Sequence, residues 1–338
     1  MIRYSEIVQN GQKLDSEKKA NKGEGISLRK TGILNKDKEE EKDAINEARV
    51  CYKKLFTLAN KVQSWVRKNE AINIQLIVPL LRSIIENDLI DSLYYYLGFE
   101  GHKGDKLGAH SIDITIFSLK IGMGMGYDNK RLLALAMIAF LHDMGMYKIP
   151  ENIVNKKGKL DKQEFKEIQR HPEISADILS GLGDKYRWLA DVALQVHERA
   201  DGSGYPSGLR EEEIHDYAYI IGLVDIYAAM IKDRPYRDRI EKNRAMRDII
   251  AFSRGRFPVK IIKVFLNQIS FFPVNSYVKL SDRSVGRVIT TNPDFPLKPI
   301  VEVLYDSLGN RLAEKRVVDL SGQTLLYVIG SVDEKDII

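Results

Sequence analysis

Histidine and aspartate residues lie beside apolar helical segments in this 338-residue chain, where they can bind metal ions. His142 and Asp143 follow the apolar run from Leu132 to Leu141, and Asp225 lies within a second apolar run at residues 218–231. A buried carboxylate costs several kcal/mol unless a cation or a metal ion pairs with it. Imidazole and carboxylate together make a nitrogen–oxygen ligand set that suits iron, manganese or zinc. The pattern therefore predicts a buried metal site.

Three more of the six histidines lie at predicted helices: His110 begins one, His171 precedes a proline that marks a helix start, and His197 lies near a helix end. Any one of them alone is more simply a hydrogen-bonded core histidine. His102 and His215 lie in polar loops and are predicted to be surface residues. Four histidines with two aspartates favour a ligand set, because two ions about 3.5–4 Å apart, bridged by a carboxylate, are the usual apparatus for phosphate-ester hydrolysis.

A tight loop and a pair of arginines accompany these residues. After His197 the chain reads Glu-Arg-Ala-Asp-Gly-Ser-Gly-Tyr-Pro and ends at Pro206, and its glycines permit backbone angles that other residues avoid. Arg234-Pro-Tyr-Arg237 follows Asp225, and two arginines can clamp phosphates in a bidentate manner while the tyrosine packs or stacks. In isolation, ordinary surface arginines at a solvated helix end are the simpler interpretation.

Helical periodicity predicts the elements that position these residues. Leu55, Leu58 and Val62 recur at three- and four-residue steps, which indicates an amphipathic helix. A second helical segment, at about residues 74–97, contains Pro79 and is predicted to start or kink there. Residues 105–270 are predicted to be helix after helix, at 111–123, 131–142, 162–169, 172–182, 186–198 and 217–231.

The sequence changes character near Phe272. Val- and Leu-rich segments that partly alternate predict strands within 276–290, 298–305, 316–320 and 325–331, with turns at Ser281–Asp282 and Leu308–Gly309–Asn310. The expected fold class is mainly α, an all-helical bundle with an N-terminal helical region and a small C-terminal β module. We divide the chain into four regions. Residues 1–43 are a polar lead-in that we expect to be solvated or disordered, and residues 44–104 are a helical region. Residues 105–271 form the bundle with the site, and residues 272–338 form the β module.

Composition excludes several classes of protein. A formal net charge of +5 is too small and too diffuse to argue for nucleic-acid binding. The single cysteine, Cys51, excludes a disulfide framework and a cysteine metal site within the chain. The longest apolar run is about half the length of a membrane-spanning helix, and residues 1–30 lack the apolar block of a signal peptide. We therefore expect a cytoplasmic protein with no membrane span.

Taken together, the motifs resemble the HD-GYP family, bacterial phosphodiesterases of the HD metal-dependent phosphohydrolase superfamily that hydrolyse cyclic di-GMP to linear pGpG and often on to GMP. The resemblance covers about residues 105–270 and rests on six elements in order: His142-Asp143, His171-Pro172, His197-Glu198, Asp201-Gly-Ser-Gly-Tyr-Pro206, Asp225 and Arg234-Pro-Tyr-Arg237. It implies an HD-domain bundle, and the C-terminal residues resemble the β extension that follows many such domains.

The resemblance also implies cofactors, partners and residue roles. It implies two divalent metal ions, Fe or Mn, with cyclic di-GMP as substrate and GGDEF-domain diguanylate cyclases as partners. From composition we expect no nucleic-acid polymer as a partner, and the sequence leaves a homo-oligomer open. The implied ligands of the first ion are His110, His142, Asp143 and Asp225. Asp143 would bridge to a second ion held by His171 and His197. The implied substrate-binding residues are Tyr205, Arg234 and Arg237, and the catalytic set is Asp143, His171 and Lys148.

Three positions depart from the family pattern. Val196 replaces the first of two consecutive histidines, so the second ion loses a ligand and is expected to bind about 10- to 100-fold more weakly. Lys106 replaces a glutamate that belongs to trinuclear members, so a third ion is not expected. Met146 replaces a lysine thought to contact the scissile phosphate, and Lys148, two residues later, is the candidate substitute.

Several functions stay open at this point. We favour a working dinuclear phosphodiesterase, because the costly buried carboxylates and histidines are all present. The main alternative is a cyclic di-GMP receptor that binds the nucleotide through the arginines and the Gly-Tyr-Pro loop but cleaves it poorly. An HD hydrolase for another nucleotide is opposed by that loop, and RNA binding by the β module is opposed by the lack of an aromatic platform. Occupancy of the second metal site discriminates between the phosphodiesterase and the receptor.

Overall fold

A computed structural model describes residues 38–332 except 100–105, 157, 232–241, 270–271, 273, 275, 293–294 and 296. The predicted lead-in lies outside the described residues up to residue 37, as do His102, Arg234 and Arg237. The described residues are mostly helical and end in a small antiparallel sheet, so the predicted fold class is confirmed. Buried apolar side chains form one cluster that runs from the N-terminal helices through the bundle into the sheet.

From residue 38 onward, where the description begins, three helices precede the bundle: α1 (Lys38–Lys68), α2 (Ile74–Glu86) and α3 (Ile90–Phe99). Helix α1 begins six residues inside the segment that we expected to be a solvated or disordered lead-in, because those residues are mainly lysine and glutamate, which are good helix formers. Leu55, Leu58 and Val62 are buried along one face of α1, as their periodicity predicted.

The break between α2 and α3 does not fall at Pro79. Pro79 lies inside α2, which continues to Glu86. Asn87 caps the helix, and Asp88 adopts a φ of 54°, a left-handed conformation that aspartate tolerates better than most residues. The predicted start at Pro79 is therefore wrong, because Asn73 already caps the helix and α2 begins at Ile74, while the alternative of a kink at Pro79 stays a prediction.

The bundle begins with α4 (Lys106–Gly124) and the largely buried α5 (Asn129–Leu141), followed by a 3₁₀ turn at Met144–Lys148. The remaining helices are α6 (Glu151–Val154), α7 (Lys162–Ile168), α8 (His171–Ser180), α9 (Arg187–Gln195), α10 (Asp216–Ile231), α11 (Lys242–Ser253) and α12 (Val259–Gln268). Among the described helices, none combines the length and apolar character needed to cross a membrane.

The β module is a five-stranded antiparallel sheet with the order β4-β3-β2-β1-β5. Its strands are β1 (Tyr277–Leu280), β2 (Val285–Thr290), β3 (Ile300–Tyr305), β4 (Arg311–Asp319) and β5 (Val328–Val332). The predicted segment 276–290 forms two strands, β1 and β2, because the chain turns after Leu280, where the turn at Ser281–Asp282 was predicted and Arg283 lies in the left-handed region. Val278, Val288 and Val301 bury one face of the sheet in the common core.

Candidate metal centre

The predicted metal ligands come from five helices of the bundle or from the residues that flank them. His110 lies on α4, and His142 with Asp143 directly follows α5. His171 begins α8, His197 follows α9, and Asp225 lies on α10. The fold brings together groups as far apart in sequence as His110 and Asp225, which are 115 positions apart.

Asp143, His171 and His197 form a tight triad. Nε2 of His171 lies 2.8 Å from Nε2 of His197 and 3.1 Å from Oδ1 of Asp143. One ligand atom from each residue lies within 4.8 Å of the others. Nδ1 of His171 donates to the Ile168 carbonyl at 2.7 Å, so a neutral His171 directs its Nε2 lone pair at the carboxylate. A divalent metal ion bound by both atoms would satisfy these two lone pairs.

His142 is held in the same tautomer. Its Nδ1 donates to the Ala139 carbonyl at 2.8 Å, while Nε2 is buried and has no hydrogen-bond partner among the described residues. Burial lowers the pKa of His142, against the opposing charges of Asp143 and Asp225, and so favours the neutral ring. A neutral imidazole fixed through Nδ1, with an unused Nε2 lone pair, is the usual state of a histidine metal ligand.

His110 and Asp225 form a second pair beside this triad. Nε2 of His110 lies 2.8 Å from Oδ1 of Asp225. Burial acts to raise the pKa of Asp225, but the hydrogen bond and charge of His110, together with His197 and His142, hold it well below its usual range. Burial, with a smaller effect from His171, lowers the pKa of His197 well below its usual value. The site therefore presents an ionised Asp225 and a neutral His197, the forms that bind metal.

A glycine allows α8 to approach the residues that follow Asp143. The Gly145 N–H donates to the Ser175 hydroxyl at 2.8 Å, and a Cβ at Gly145 would lie 2.1 Å from the His171 carbonyl oxygen. No side chain fits in that space. The contact fixes the distance between Asp143, two residues before the glycine, and His171 at the start of α8.

We expect Gly145→Ala to lower the free energy of unfolding by about 2 kcal/mol, because the methyl group must displace the backbone of α8. Metal uptake should fall as well, since Asp143 and His171 move apart. Urea denaturation and metal analysis measure the two effects, with Gly322→Ala as the control because nothing lies within 4 Å of the position of its Cβ. A Gly145→Ala variant as stable as the parent would contradict this packing.

Val196, which stands where the family has a further histidine, is buried in the apolar core. Its carbonyl accepts a hydrogen bond from Nη1 of Arg199 at 3.1 Å. The triad accordingly offers three protein ligands rather than four, and catalytic metal sites commonly keep a position open in this way for water or substrate.

A buried glutamate fixes the loop after His197. Glu198 is 1% exposed, and its carboxylate accepts the backbone N–H groups of three consecutive residues at 2.6, 3.0 and 3.1 Å: Ser207, Gly208 and Leu209. A Cβ at Gly204 would lie 2.3 Å from the Cα of Glu198, so the loop packs directly on the helix end. The carboxylate thus holds the segment that leaves the Gly-Tyr-Pro sequence.

This loop places Tyr205 over the triad. The Tyr205 and His197 rings are parallel within 2°, with centroids 5.1 Å apart, and the Tyr205 N–H donates to the His197 carbonyl at 3.2 Å. Burial, together with Asp225 and Asp143, raises the pKa of Tyr205 well above its usual value, so the hydroxyl stays protonated. A half-buried aromatic ring at the edge of the site suits contact with a substrate base or sugar.

Lys148, the predicted catalytic lysine, is not brought to this cluster. It ends the 3₁₀ turn, and its ammonium donates to Oδ1 of Asn69 at 2.5 Å, just beyond the end of α1. The short turn after Asp143 directs position 148 toward the N-terminal helices, which sequence spacing alone does not reveal. His215 is exposed, as predicted for a surface histidine.

Sequence reasoning missed the residues that support the site. It gave no positioning role to Glu198, Ser175 or the buried Arg199, whose guanidinium donates to the carbonyls of Val196 and Glu198 and lies over the Phe257 ring. A buried carboxylate between a helix end and a glycine-rich loop was the available signal for Glu198. Ser175 carried no such signal, because its role depends on a contact with a residue 30 positions away.

Comparison with known proteins agrees with this arrangement. Residues 101–258 match the family model of the HD domain, and residues 277–338 match that of a KOW domain associated with the HD domain. The chain is similar to cyclic di-GMP phosphodiesterase PA4108 of Pseudomonas aeruginosa (30% identity, covering 64% of this chain and 52% of the relative). It is also similar to cyclic di-GMP phosphodiesterase PdeB of Borreliella burgdorferi (32% identity, covering 55% and 50%).

The chain spans about half the length of these curated relatives. Among solved structures, it shares its fold with Bd1817, an HDG"Y"P protein from Bdellovibrio bacteriovorus, with a TM-score of 0.54 and 17% identity over 68% of this chain and 73% of that one. The ordered motifs, the helical bundle and these matches together identify residues 101–258 as an HD domain, in agreement with the resemblance of the motifs to the HD-GYP family.

Proposed function

We propose that this chain is a metal-dependent phosphodiesterase that hydrolyses cyclic di-GMP to linear pGpG and then to GMP. The observation that carries the proposal is the triad of Asp143, His171 and His197, whose ligand atoms converge within 4.8 Å. The choice of substrate is supported by the names of the relatives, which are cyclic di-GMP phosphodiesterases, and by the loop that places Tyr205 beside the triad.

Two divalent ions, iron or manganese, are part of this proposal. One would be held by His110, His142, Asp143 and Asp225, and the other by Asp143, His171 and His197. When bound, such ions neutralise phosphate charge and lower the pKa of a water molecule. Mixed imidazole and carboxylate ligands suit these metals, and the tautomers fixed by the Ala139 and Ile168 carbonyls leave Nε2 of His142 and His171 available.

The residues of the chain have distinct tasks in this mechanism. In each hydrolysis a water oxygen forms a bond to phosphorus, the bond from phosphorus to the ribose oxygen breaks, and that oxygen leaves as a hydroxyl after taking up a proton. Asp143 and Asp225 would supply the negative charge that holds cations at the site, and the histidines would supply its imidazole ligands. Tyr205 orients the nucleotide, and Arg234 and Arg237 are proposed to bind its phosphates.

The proposal is tested by turnover of cyclic di-GMP. The protein is purified anaerobically, loaded with Fe(II) or Mn(II), and incubated with cyclic di-GMP or, separately, with cyclic GMP-AMP, while products and metal content are measured. We expect pGpG and GMP from cyclic di-GMP, activity that is lost with a chelator and restored by the metal, and close to two ions per chain.

Cyclic di-GMP binding without product, at one ion per chain or fewer, would contradict the proposal and leave the receptor alternative. Equal or faster turnover of cyclic GMP-AMP would contradict the substrate assignment alone.

Partners and location complete the proposal. GGDEF-domain diguanylate cyclases are proposed to contact the Gly-Tyr-Pro loop, whose Asp201 and Ser203 are exposed. The cytoplasm is the proposed compartment, because the single cysteine is a free, buried thiol, which suits a reducing environment.

A further inference from the structure

Helix α1 carries an uneven distribution of charge along its length. Its first ten residues, 38–47, contain five acidic residues and two lysines, whereas residues 48–68 contain six basic residues and no acidic one. Acidic residues at the start and basic ones at the end also suit the helix dipole, but that effect is confined to the terminal turns. The separation of acidic from basic residues along α1 continues through the middle of the helix.

One exposed stripe of α1 displays this pattern. Asp43, Glu47, Val50, Lys54 and Lys61 follow one another at steps of four, three, four and seven residues, which places them on the same face, and all five are exposed. Val50, at the midpoint between the charges, is 50% exposed. Among the described residues none of the four charged groups has an ion-pair partner.

A groove of about 410 Å³ lies along this stripe, between α1 and α2. Val50, Lys54, Thr57 and Lys61 line one wall, and Leu76, which is 45% exposed, belongs to the other. The groove is therefore apolar along its floor and cationic along its rim. Asp43 and Glu47 stand one helical turn apart and repel each other, so the monomer bears a small cost that an opposing basic surface would remove.

We propose that this stripe is a two-fold interface at which α1 packs antiparallel against α1 of a second copy of the chain. With the two-fold axis beside Val50, the two valines meet each other. Glu47, three residues before the axis, then faces positions 53 and 54 of the second copy, and both are lysines. Asp43, seven residues before the axis, lies between Lys54 and Lys61 of the second copy. The stripe is thus complementary to itself only in the antiparallel arrangement.

Charge reversal tests this arrangement by sedimentation equilibrium of the full chain. We expect a dimer that is weaker in 0.5 M than in 0.05 M NaCl, since exposed ion pairs are screened. Glu47→Lys, or Lys53→Glu with Lys54→Glu, should each raise the dimer Kd about 10-fold or more, because like charges then meet. All three substitutions together should recover most of the dimer affinity, because position 47 again faces opposite charges and Asp43 still lies near Lys61 of the second copy. In a parallel dimer residue 47 faces residue 47, so the single reversals would leave Kd unchanged and overturn the proposal.

The position of the axis is tested by cross-linking. Val50→Cys, in a Cys51→Ala background, should form an intermolecular disulfide under mild oxidation, whereas Leu308→Cys, which is 85% exposed on the β module, should not. Neither measurement depends on catalytic activity, so its result is independent of the proposed function. A wild-type chain that stays monomeric at 100 µM in low salt would overturn the proposal.

Discussion

Asp143→Asn is expected to reduce kcat for cyclic di-GMP by about 10³-fold, because Asp143 is the one carboxylate of the triad and the proposed bridge between two ions. Asparagine has nearly the same shape but carries no charge, so it cannot compensate for two cations. A loss of several kcal/mol in transition-state stabilisation corresponds to that factor. Steady-state kinetics of the Mn(II)-loaded variant measures the effect, and bound metal should fall to one ion per chain or fewer.

A matched control separates this effect from a general loss of charge. Asp191 is an exposed aspartate on α9, the helix that precedes His197, and has no described contact with the site. Asp191→Asn should keep both turnover and metal content. If Asp143→Asn is folded by circular dichroism and turns over cyclic di-GMP as fast as the parent, the triad is not the catalytic centre.

The second large effect is expected from Glu198→Ala. This change removes the acceptor of three backbone N–H groups and leaves them unpaired beneath the loop. Each unsatisfied buried group costs about 1–3 kcal/mol, and because water reaches part of this loop we expect a total loss of about 3 kcal/mol in the free energy of unfolding. Tyr205 should lose its fixed position over His197, so KM should rise more than kcat falls.

Glu213→Ala is the matched control for this change. Glu213 also accepts a backbone N–H, that of Arg210 at 2.8 Å, but it is exposed and makes one such contact rather than three. Its loss should cost less than about 1 kcal/mol, since water replaces the acceptor. Urea denaturation gives both values, and limited proteolysis should cut between residues 199 and 210 only in Glu198→Ala. Equal stability of the two variants would contradict the role given to Glu198.

The six candidate ligands were predictable because each has a local signature. Asp143 stands out as a charge directly after an apolar helix and Asp225 as a charge within one, and histidines beside such helices complete a ligand set. The exact pairings were not predictable from local patterns, because the 2.8 Å contacts of His110 with Asp225 and of His171 with His197 depend on how distant helices pack. The fold class could be predicted from the spacing of apolar residues, because that spacing is a property of short segments of the chain.

Other features depended on long-range contacts and were missed or misplaced. Lys148 looked suitable by its distance from Met146 along the chain, but the 3₁₀ turn pairs it with Asn69. Pro79 looked like a helix boundary, yet Asp88, with its left-handed backbone, ends the segment instead. In both places the direction of a short turn decided the outcome, and a turn of a few residues leaves little trace in a periodicity pattern.

The separation of the ligands along the chain has a consequence for the order in which the centre forms during folding. His171 and His197 are 26 positions apart on neighbouring helices, whereas His110 and Asp225 are 115 positions apart. Closing the longer loop costs more chain entropy, so the contact between His110 and Asp225 forms later. During synthesis, the triad can assemble as soon as α9 has docked, before α10 is available. A nascent chain would thus acquire its second-site ligands first, and the His110–Asp225 pair would complete the pocket only when the whole bundle closes.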